Sequence, residues 1–264
     1  MYNIDYNSYR SINSFNQRVR FLILHYTAEN FADSIKSLTG PNTSIHYLIP
    51  DEAEASYQAA GFKELRIFNL VAETDRAWHA GVSSWQGRSN LNDTSIGIEV
   101  VNLATDNNGI FTFPSYGVNQ IKALKQLALN ILQRYPDITP THVIGHSDIA
   151  PQRKSDPGAA FPWKELYKAG IGAWFDTKTK LNYLIQFTKQ GIPDNATILK
   201  QLNRYGYDIT GADADADADA DAEQFNKLIR AFQLHFRPTD YSGRVDCETV
   251  AILYALIEKY FPEA

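Results

Sequence analysis

VRFLILHYTA, residues 19–28, is a compact apolar run, too short for a typical helix and rich in residues suited to a buried strand, and it carries a histidine, His25, near its end. Read outward from it, HYLIP (46–50) and ELRIFNLVAE (64–73) form further strands, and NDTSIGIEVVN (92–102) is a loop followed by a strand. The first half is therefore mostly sheet. VNQIKALKQLALNILQRY (118–135) then sets Ile121, Leu124, Ala128, Ile131 and Leu132 on one helical stripe, and THVIGH (141–146) is a short strand ending at His146. FPWKELYKAGIGAW (161–174) supplies one more short helix, ending near Gly170. Strands mixed with helices in this way predict an α/β domain whose helices cover the sheet.

DTKTKLNYLIQFTKQGIPDNA carries mixed polar and turn residues, which sets a first domain at 1–180 and a linker at 181–194. Beyond it, ATILKQLNRYGYD, EQFNKLIRAFQLHF and CETVAILYALIEKYF are three helical patterns, so residues 195–264 are expected to form a small all-α three-helix domain. Between the first two lies ADADADADADA (212–222). Alanine and aspartate are poor strand formers and like charges two residues apart repel, so the tract reads as a mobile acidic loop. A calcium site is the alternative, although the tract lacks the glycine turn and closing glutamate of a known calcium loop.

Charge and hydropathy exclude several classes. The chain has 25 basic and 30 acidic residues, five of the acids in the alternating tract, so the remainder is balanced and nothing suggests nucleic acid as a partner. No run approaches the roughly eighteen apolar residues of a membrane span. Cys247 is the only cysteine, which forbids an intrachain disulfide and a cysteine-rich metal site. The N-terminal segment shows no apolar core and no small-residue cleavage site of an export signal.

The chemistry is sought among six histidines, His25, His46, His79, His142, His146 and His235. Hydrolytic zinc typically takes three protein ligands and keeps a fourth position open for water. His25 and His146 each end a strand and begin a loop, where rigid scaffolds commonly present site residues. In HSDIAPQRKSDPG (146–158), Asp156 follows His146 by ten residues, far enough for a loop to fold back, with Pro157-Gly158 to fix the corner. On spacing alone a structural histidine or a turn-forming aspartate is the commoner explanation of each residue.

HYTA (25–28), SIHYLI (44–49), AWHAG (77–81), NDTSIGIE (92–99), GHSDIAPQRKSDPG (145–158) and FPW (161–163) closely resemble the zinc-dependent N-acetylmuramoyl-L-alanine amidases of the amidase_2 type. RAFQLHFRP followed by YSGRVDCETVAILYAL resembles small helical peptidoglycan-binding domains, so the likeness covers nearly the whole chain, and the Ala-Asp tract departs from it. The resemblance implies a central mixed β-sheet flanked by helices, one zinc ion held by His25, His146 and Asp156, Glu99 as the proton-transferring carboxylate, and Lys154 facing the scissile carbonyl. His79, Trp78, Asn92, Trp85 and Arg88 are weaker candidates for the substrate groove. His46 and His142 sit within strand-like runs and match no ligand position, and His235 belongs to a tail helix.

The implied activity is hydrolysis of the amide between N-acetylmuramic acid and the first L-alanine of the stem peptide. The expected partner is peptidoglycan or its muropeptides, met by a monomer. Two other classes compete. A recognition module would lack part of the ligand set, all of which is present here, and a zinc peptidase of the commonest kind would carry HExxH, which is absent. A tail that binds polymer would raise the effective concentration of the enzyme at its substrate. Such a tail implies the cell envelope, with the cytoplasm as the alternative.

Overall fold

The computed structural model describes residues 4–5, 8–9, 18–107, 109–212 and 218–262, with side chains from 223 in the last segment. In chain order come β1 (Phe21–Tyr26), α1 (Phe31–Leu38), β2 (Tyr47–Ile49), α2 (Ala55–Ala59), β3 (Phe68–Asn69), and a hairpin of β4 (Ser84–Trp85) and β5 (Arg88–Ser89). There follow β6 (Ser95–Val100), a hairpin of β7 (Thr105–Asn107) and β8 (Ile110–Thr112), α3 (Val118–Arg134), β9 (Val143–Gly145), α4 (His146–Ile149) and α5 (Trp163–Lys168). The last part is helical: α6 (Thr177–Gln190), α7 (Asn195–Tyr205), α8 (Ala218–Phe236) and α9 (Cys247–Tyr260).

The opening run becomes β1, second from one edge of a five-stranded mixed sheet ordered β3-β2-β6-β1-β9. It is parallel to both its neighbours, β6 and β9; β2 is also parallel to β6, and only β3 runs antiparallel, at the edge. A strand flanked by parallel partners and covered on both faces reads as continuous apolar sequence, and Phe21, Leu22, Ile23 and Leu24 are all buried. Helix α3 buries Ile121, Leu124, Ala128 and Ile131, the stripe its periodicity foretells. No helix among the described residues is long and apolar enough to cross a membrane.

Three local expectations change. Of the strand expected over 64–73 only Phe68–Asn69 pairs, because side chains capture the preceding backbone: the Tyr57 hydroxyl donates to the Glu64 carbonyl and accepts from the Arg66 N–H. The sheet half also contains α1, capped by Asn30, whose side chain accepts from the Asp33 N–H at 2.9 Å. The segment expected to link two domains, 181–194, is helical as far as Gln190. Its composition is polar, yet Tyr183 and Phe187 pack on Tyr254 of α9 with ring centroids 5.5 and 5.1 Å apart, so tertiary packing decides.

Helices α7, α8 and α9 form where the tail patterns place them, and α6 joins them along α9. One apolar core runs from the sheet into this bundle. Trp85 meets Tyr205 and Tyr207, with ring centroids 6.0 and 4.8 Å apart, and Trp163 stacks on His235 at 3.8 Å. Of the tract 212–222, Ala212 is buried, 218–222 belong to α8, and 213–217 lie outside the described residues.

Candidate metal centre and active site

Three parallel strands deliver the site at their C-terminal ends, where open α/β sheets commonly bind ligands. His25 is the penultimate residue of β1, His146 follows the last residue of β9, and Glu99 on β6 is the register partner of His25. Residues directly opposite on adjacent strands project to the same face, so sheet geometry sets Glu99 beside His25.

Asp156 arrives by the loop after α4. The Ser147 N–H donates to the Asp156 carbonyl at 2.8 Å, the Tyr116 hydroxyl donates to the Pro157 carbonyl at 2.8 Å, and Tyr26 and Ser155 share a hydroxyl hydrogen bond of 2.6 Å. At Gly158, φ is +78° and an added Cβ would lie 2.4 Å from the Phe113 ring, so the corner demands glycine. The result is a tight triangle: His25 Nδ1 to His146 Nδ1 3.1 Å, His25 Nδ1 to Asp156 Oδ2 2.9 Å, and His146 Nδ1 to Asp156 Oδ2 3.0 Å. All three side chains are buried, and they form a metal-compatible His/Asp cluster.

Hydrogen bonds on the far nitrogens fix both imidazoles. His146 Nε2 faces the Ala80 carbonyl at 3.1 Å and Arg153 Nη2 at 3.3 Å; Arg153 Nη2 spends its protons on the Ala80 and Val82 carbonyls at 2.5 and 2.7 Å, and the nearer carbonyl only accepts, so Nε2 carries the proton and Nδ1 is the free nitrogen. For His25 the chain is longer. The Ser95 hydroxyl spends its proton on the Leu91 carbonyl and so accepts from His79 Nε2–H. That leaves His79 Nδ1 to accept from His25 Nε2–H at 3.0 Å, and His25 Nδ1 bare. Burial holds His79 well below the usual histidine range and lowers His25 to about 4, so both are neutral.

Two bare nitrogens 3.1 Å apart beside a carboxylate cannot be satisfied by hydrogen bonds among themselves, whereas a cation between them satisfies all three. Tetrahedral zinc with ligand bonds of about 2.0–2.1 Å separates its ligand atoms by about 3.3 Å, close to this triangle. Burial alone would raise the Asp156 carboxyl, but the adjoining imidazoles, His146 ahead of His25, hold it well below the ordinary carboxylate range, so it stands as a carboxylate. Glu99 goes the other way: burial, then the nearby Asp156, push it well above that range, while Lys154 pulls it back. Its Oε2 is sealed from solvent without a hydrogen-bond partner. Lys154 is exposed, lines the hollow over the ligands, and has no ion-pair partner among the described residues.

The groove candidates divide. Trp78, 55% exposed, lines the hollow over His146 and Lys154 together with His79 and Asn92. His79 is nevertheless mainly a support for His25, and Gly97 makes room for it, since a Cβ there would lie 2.6 Å from its ring. Asn92 supports the frame as well: its Oδ1 accepts from the N–H groups of His79 and Ala80 at 3.0 and 2.7 Å, which aims the Ala80 carbonyl at His146.

Trp85 is corrected. It is fully buried, its indole N–H donates to the Thr141 carbonyl at 3.0 Å, and it belongs to the core shared with the tail. Arg88 is corrected with it: it is exposed on the same hairpin, and its charge is felt by His142 at the start of β9, the end of the sheet away from the ligands. His46 and His142 are structural as expected, His46 accepting from the Gly97 N–H at 3.0 Å and His142 meeting Gln86 at 2.9 Å.

Two supporting residues carry no advance signal. Arg153 donates to the carbonyls of Ala80 and Val82 at 2.5 and 2.7 Å and clamps the 80–82 turn against the ligand loop. Asp148, in the same helix α4 as His146, is fully buried and accepts from Gly145 N–H at 2.8 Å, the Tyr207 hydroxyl at 2.5 Å and His235 Nδ1 at 2.7 Å. The ligand-bearing helix is thus bolted to the tail.

Known proteins share much of the sequence and the fold of this chain. A family model described as N-acetylmuramoyl-L-alanine amidase, Amidase_2, matches residues 15–159. The chain is 43% identical over 244 residues to the N-acetylmuramoyl-L-alanine amidase AmiD of Escherichia coli K12, spanning 92% of this chain and 84% of that one. Among solved structures, AmpDh3 from Pseudomonas aeruginosa in complex with anhydromuramic pentapeptide aligns with a TM-score of 0.90 at 61% identity, covering 98% of this chain and 99% of that one. E. coli AmiD in complex with anhydro-N-acetylmuramic acid-L-Ala-D-γ-Glu-L-Lys aligns with a TM-score of 0.81 at 41% identity, covering 98% of both chains. On this evidence the chain is an enzyme of the N-acetylmuramoyl-L-alanine amidase family, Amidase_2.

Proposed function

We propose that this amidase hydrolyses the amide between the lactyl group of N-acetylmuramic acid and the first L-alanine of the stem peptide, with one zinc ion on His25, His146 and Asp156. The observation that carries the proposal is the triangle of two bare imidazole nitrogens and a carboxylate oxygen, with Glu99 on the neighbouring strand. Two neutral imidazoles and one carboxylate leave such a site net positive, and zinc so bound acidifies water and polarises a carbonyl.

The side chains divide the remaining work. Glu99, its carboxyl raised, accepts a proton from the attacking water and hands it to the departing alanine nitrogen. Lys154 presents an unpaired ammonium to the oxygen on which negative charge develops, an interaction worth most in the transition state. The hollow under Trp78 leaves room for the muropeptide. All these groups come from one chain, so a monomer suffices. The reading favours work in the cell envelope, which fractionation of the native host checks; a purely cytosolic enzyme would move the same chemistry to soluble muropeptides.

The direct test is mass spectrometry of muropeptides incubated with the purified protein, with a chelated sample and the same sample after zinc is restored. Free stem peptides beginning at L-alanine, lost on chelation and regained with zinc, are expected. Unchanged muropeptides in every sample, with binding intact, would make the chain a recognition module.

Two variants follow from the geometry. Lys154→Met is expected to lower kcat about 10²–10³-fold, the usual cost of losing an oxyanion donor. Zinc content should hold, and an unchanged kcat would remove Lys154 from the chemistry. His79→Leu deprives His25 Nε2–H of its acceptor and should weaken zinc about 10–100-fold in a competition titration with a chelator. His79→Gln, which can still accept, should recover part of the loss, and equal affinity in all three proteins would show that this hydrogen bond does not set the ring.

A further inference from the structure

His25 and Tyr26 are the last two residues of β1, and successive strand residues project to opposite faces of a sheet. They take hold of successive residues of the ligand loop. His25 Nδ1 meets Asp156 Oδ2 at 2.9 Å, and the Tyr26 and Ser155 hydroxyls share a hydrogen bond of 2.6 Å. The end of the strand thus grips the loop from both sides, and only one of the two grips belongs to the metal ligands.

The other grip adjoins Lys154. The ammonium of Lys154 has no ion-pair partner among the described residues, so its place over the ligands is set by its main chain. The Lys154 N–H donates to the Ala150 carbonyl at 3.1 Å. On one side stands Arg153, whose guanidinium is fastened to the carbonyls of Ala80 and Val82, and on the other stands Ser155, fastened to Tyr26. Lys154 therefore lies between two anchored neighbours.

Asp156 does not depend on the Tyr26 anchor. Its carbonyl accepts from the Ser147 N–H at 2.8 Å, the Pro157 carbonyl accepts from the Tyr116 hydroxyl at 2.8 Å, and its carboxylate lies against both imidazoles. Loss of the Tyr26 hydroxyl would free Lys154 while the metal donors stay held. The ring would keep its place, since it meets Phe113 at 6.3 Å and Phe113 fills the space beside Gly158. Tyr26→Phe thus removes one hydrogen bond and little else.

We infer that Tyr26 is a positioning residue for Lys154: through Ser155 it fixes the main chain from which the ammonium reaches the oxygen of the scissile carbonyl. The inference rests on the amidase reading above and on the role given there to Lys154. A donor to a developing oxyanion must be aimed before the reaction, and a misplacement of about 1 Å costs up to about 10²-fold in rate. One released hydrogen bond loosens the aim without removing the charge, so the expected loss is smaller.

The test measures kcat and KM on a muropeptide, together with zinc content, for the wild type, Tyr26→Phe, Ser155→Ala, Ser155→Thr, Lys154→Met and the Tyr26→Phe/Lys154→Met double variant. Loss of either hydroxyl is expected to lower kcat roughly tenfold, with KM and zinc content close to wild type. Ser155→Thr, which keeps a hydroxyl, should stay near the wild-type rate. In the Lys154→Met enzyme the added Tyr26→Phe should cost less than about twofold, because the group it aims is gone. A wild-type kcat in Tyr26→Phe, an undiminished loss on top of Lys154→Met, or a loss of kcat that follows zinc content would overturn the inference. An unimpaired Lys154→Met would remove Lys154 from the chemistry and the inference with it. Wild-type inactivity on muropeptides with zinc bound would instead overturn the amidase reading.

Discussion

A Glu99→Gln enzyme is expected to bind its metal normally and to turn over about 10²–10⁴-fold more slowly, the span that a positioned general acid–base is usually worth. Glutamine has the shape of glutamate, and Oε2 of Glu99 makes no hydrogen bond, so the exchange disturbs little of the surrounding structure. The metal donors come from His25, His146 and Asp156, none of which it touches. What disappears is a group able to take a proton from water. Zinc content by elemental analysis, with kcat on a muropeptide, checks both halves of the expectation. Wild-type turnover in the variant would assign the proton to another group.

The pH profile gives the same assignment independently. A general base works only when ionised, so kcat/KM falls as pH drops through its pKa. Burial and the Asp156 charge raise Glu99 above the ordinary carboxylate range of about 4.3, and the acid limb should lie correspondingly high. In Glu99→Gln that limb should vanish from the residual rate.

The strands and the loop that carry the ligands were legible in the sequence because the physics that places them is local, whereas the choice of His25, His146 and Asp156 as a ligand set came from the family resemblance. A short apolar run that ends on a histidine becomes a buried parallel strand delivering His25 at its C-terminal end, and a ten-residue loop is enough to return Asp156 to His146. The supports were not legible, because their partners are remote. Asp148 sits in a stretch that reads as the ligand-bearing loop, with nothing to mark it as a buried anchor, and Tyr207 and His235 lie 59 and 87 residues away. Trp85 misleads for a related reason: its hairpin strand is two residues long, too short for alternation to tell which way the indole turns. Helix α6 hides behind its own composition, since Lys, Thr and Gln dominate it and its apolar side chains matter only against α9.

Those remote contacts join the tail to the catalytic core. A chain cut after residue 194 is expected to fail on single-sugar muropeptides as fully as on insoluble walls, because the tail closes the catalytic core. Trp85 and Trp163, now buried, would lose Tyr205, Tyr207 and His235. Asp148 would lose the Tyr207 hydroxyl and His235 and keep only the Gly145 N–H, and breaking a buried pair by removing one partner costs about 3–5 kcal/mol. Since Asp148 shares a helix with His146, that cost falls on the metal ligand as well as on the fold. The point variant Asp148→Ala separates this effect from gross truncation: it leaves the Tyr207 hydroxyl and His235 Nδ1 without their acceptor and should lower Tm by roughly 6–20 °C for the same energy. Thermal melting and zinc stoichiometry of both proteins decide the matter. A truncated chain that melts cooperatively, holds one zinc and cleaves small muropeptides at the wild-type rate would restore the tail to a mere tether.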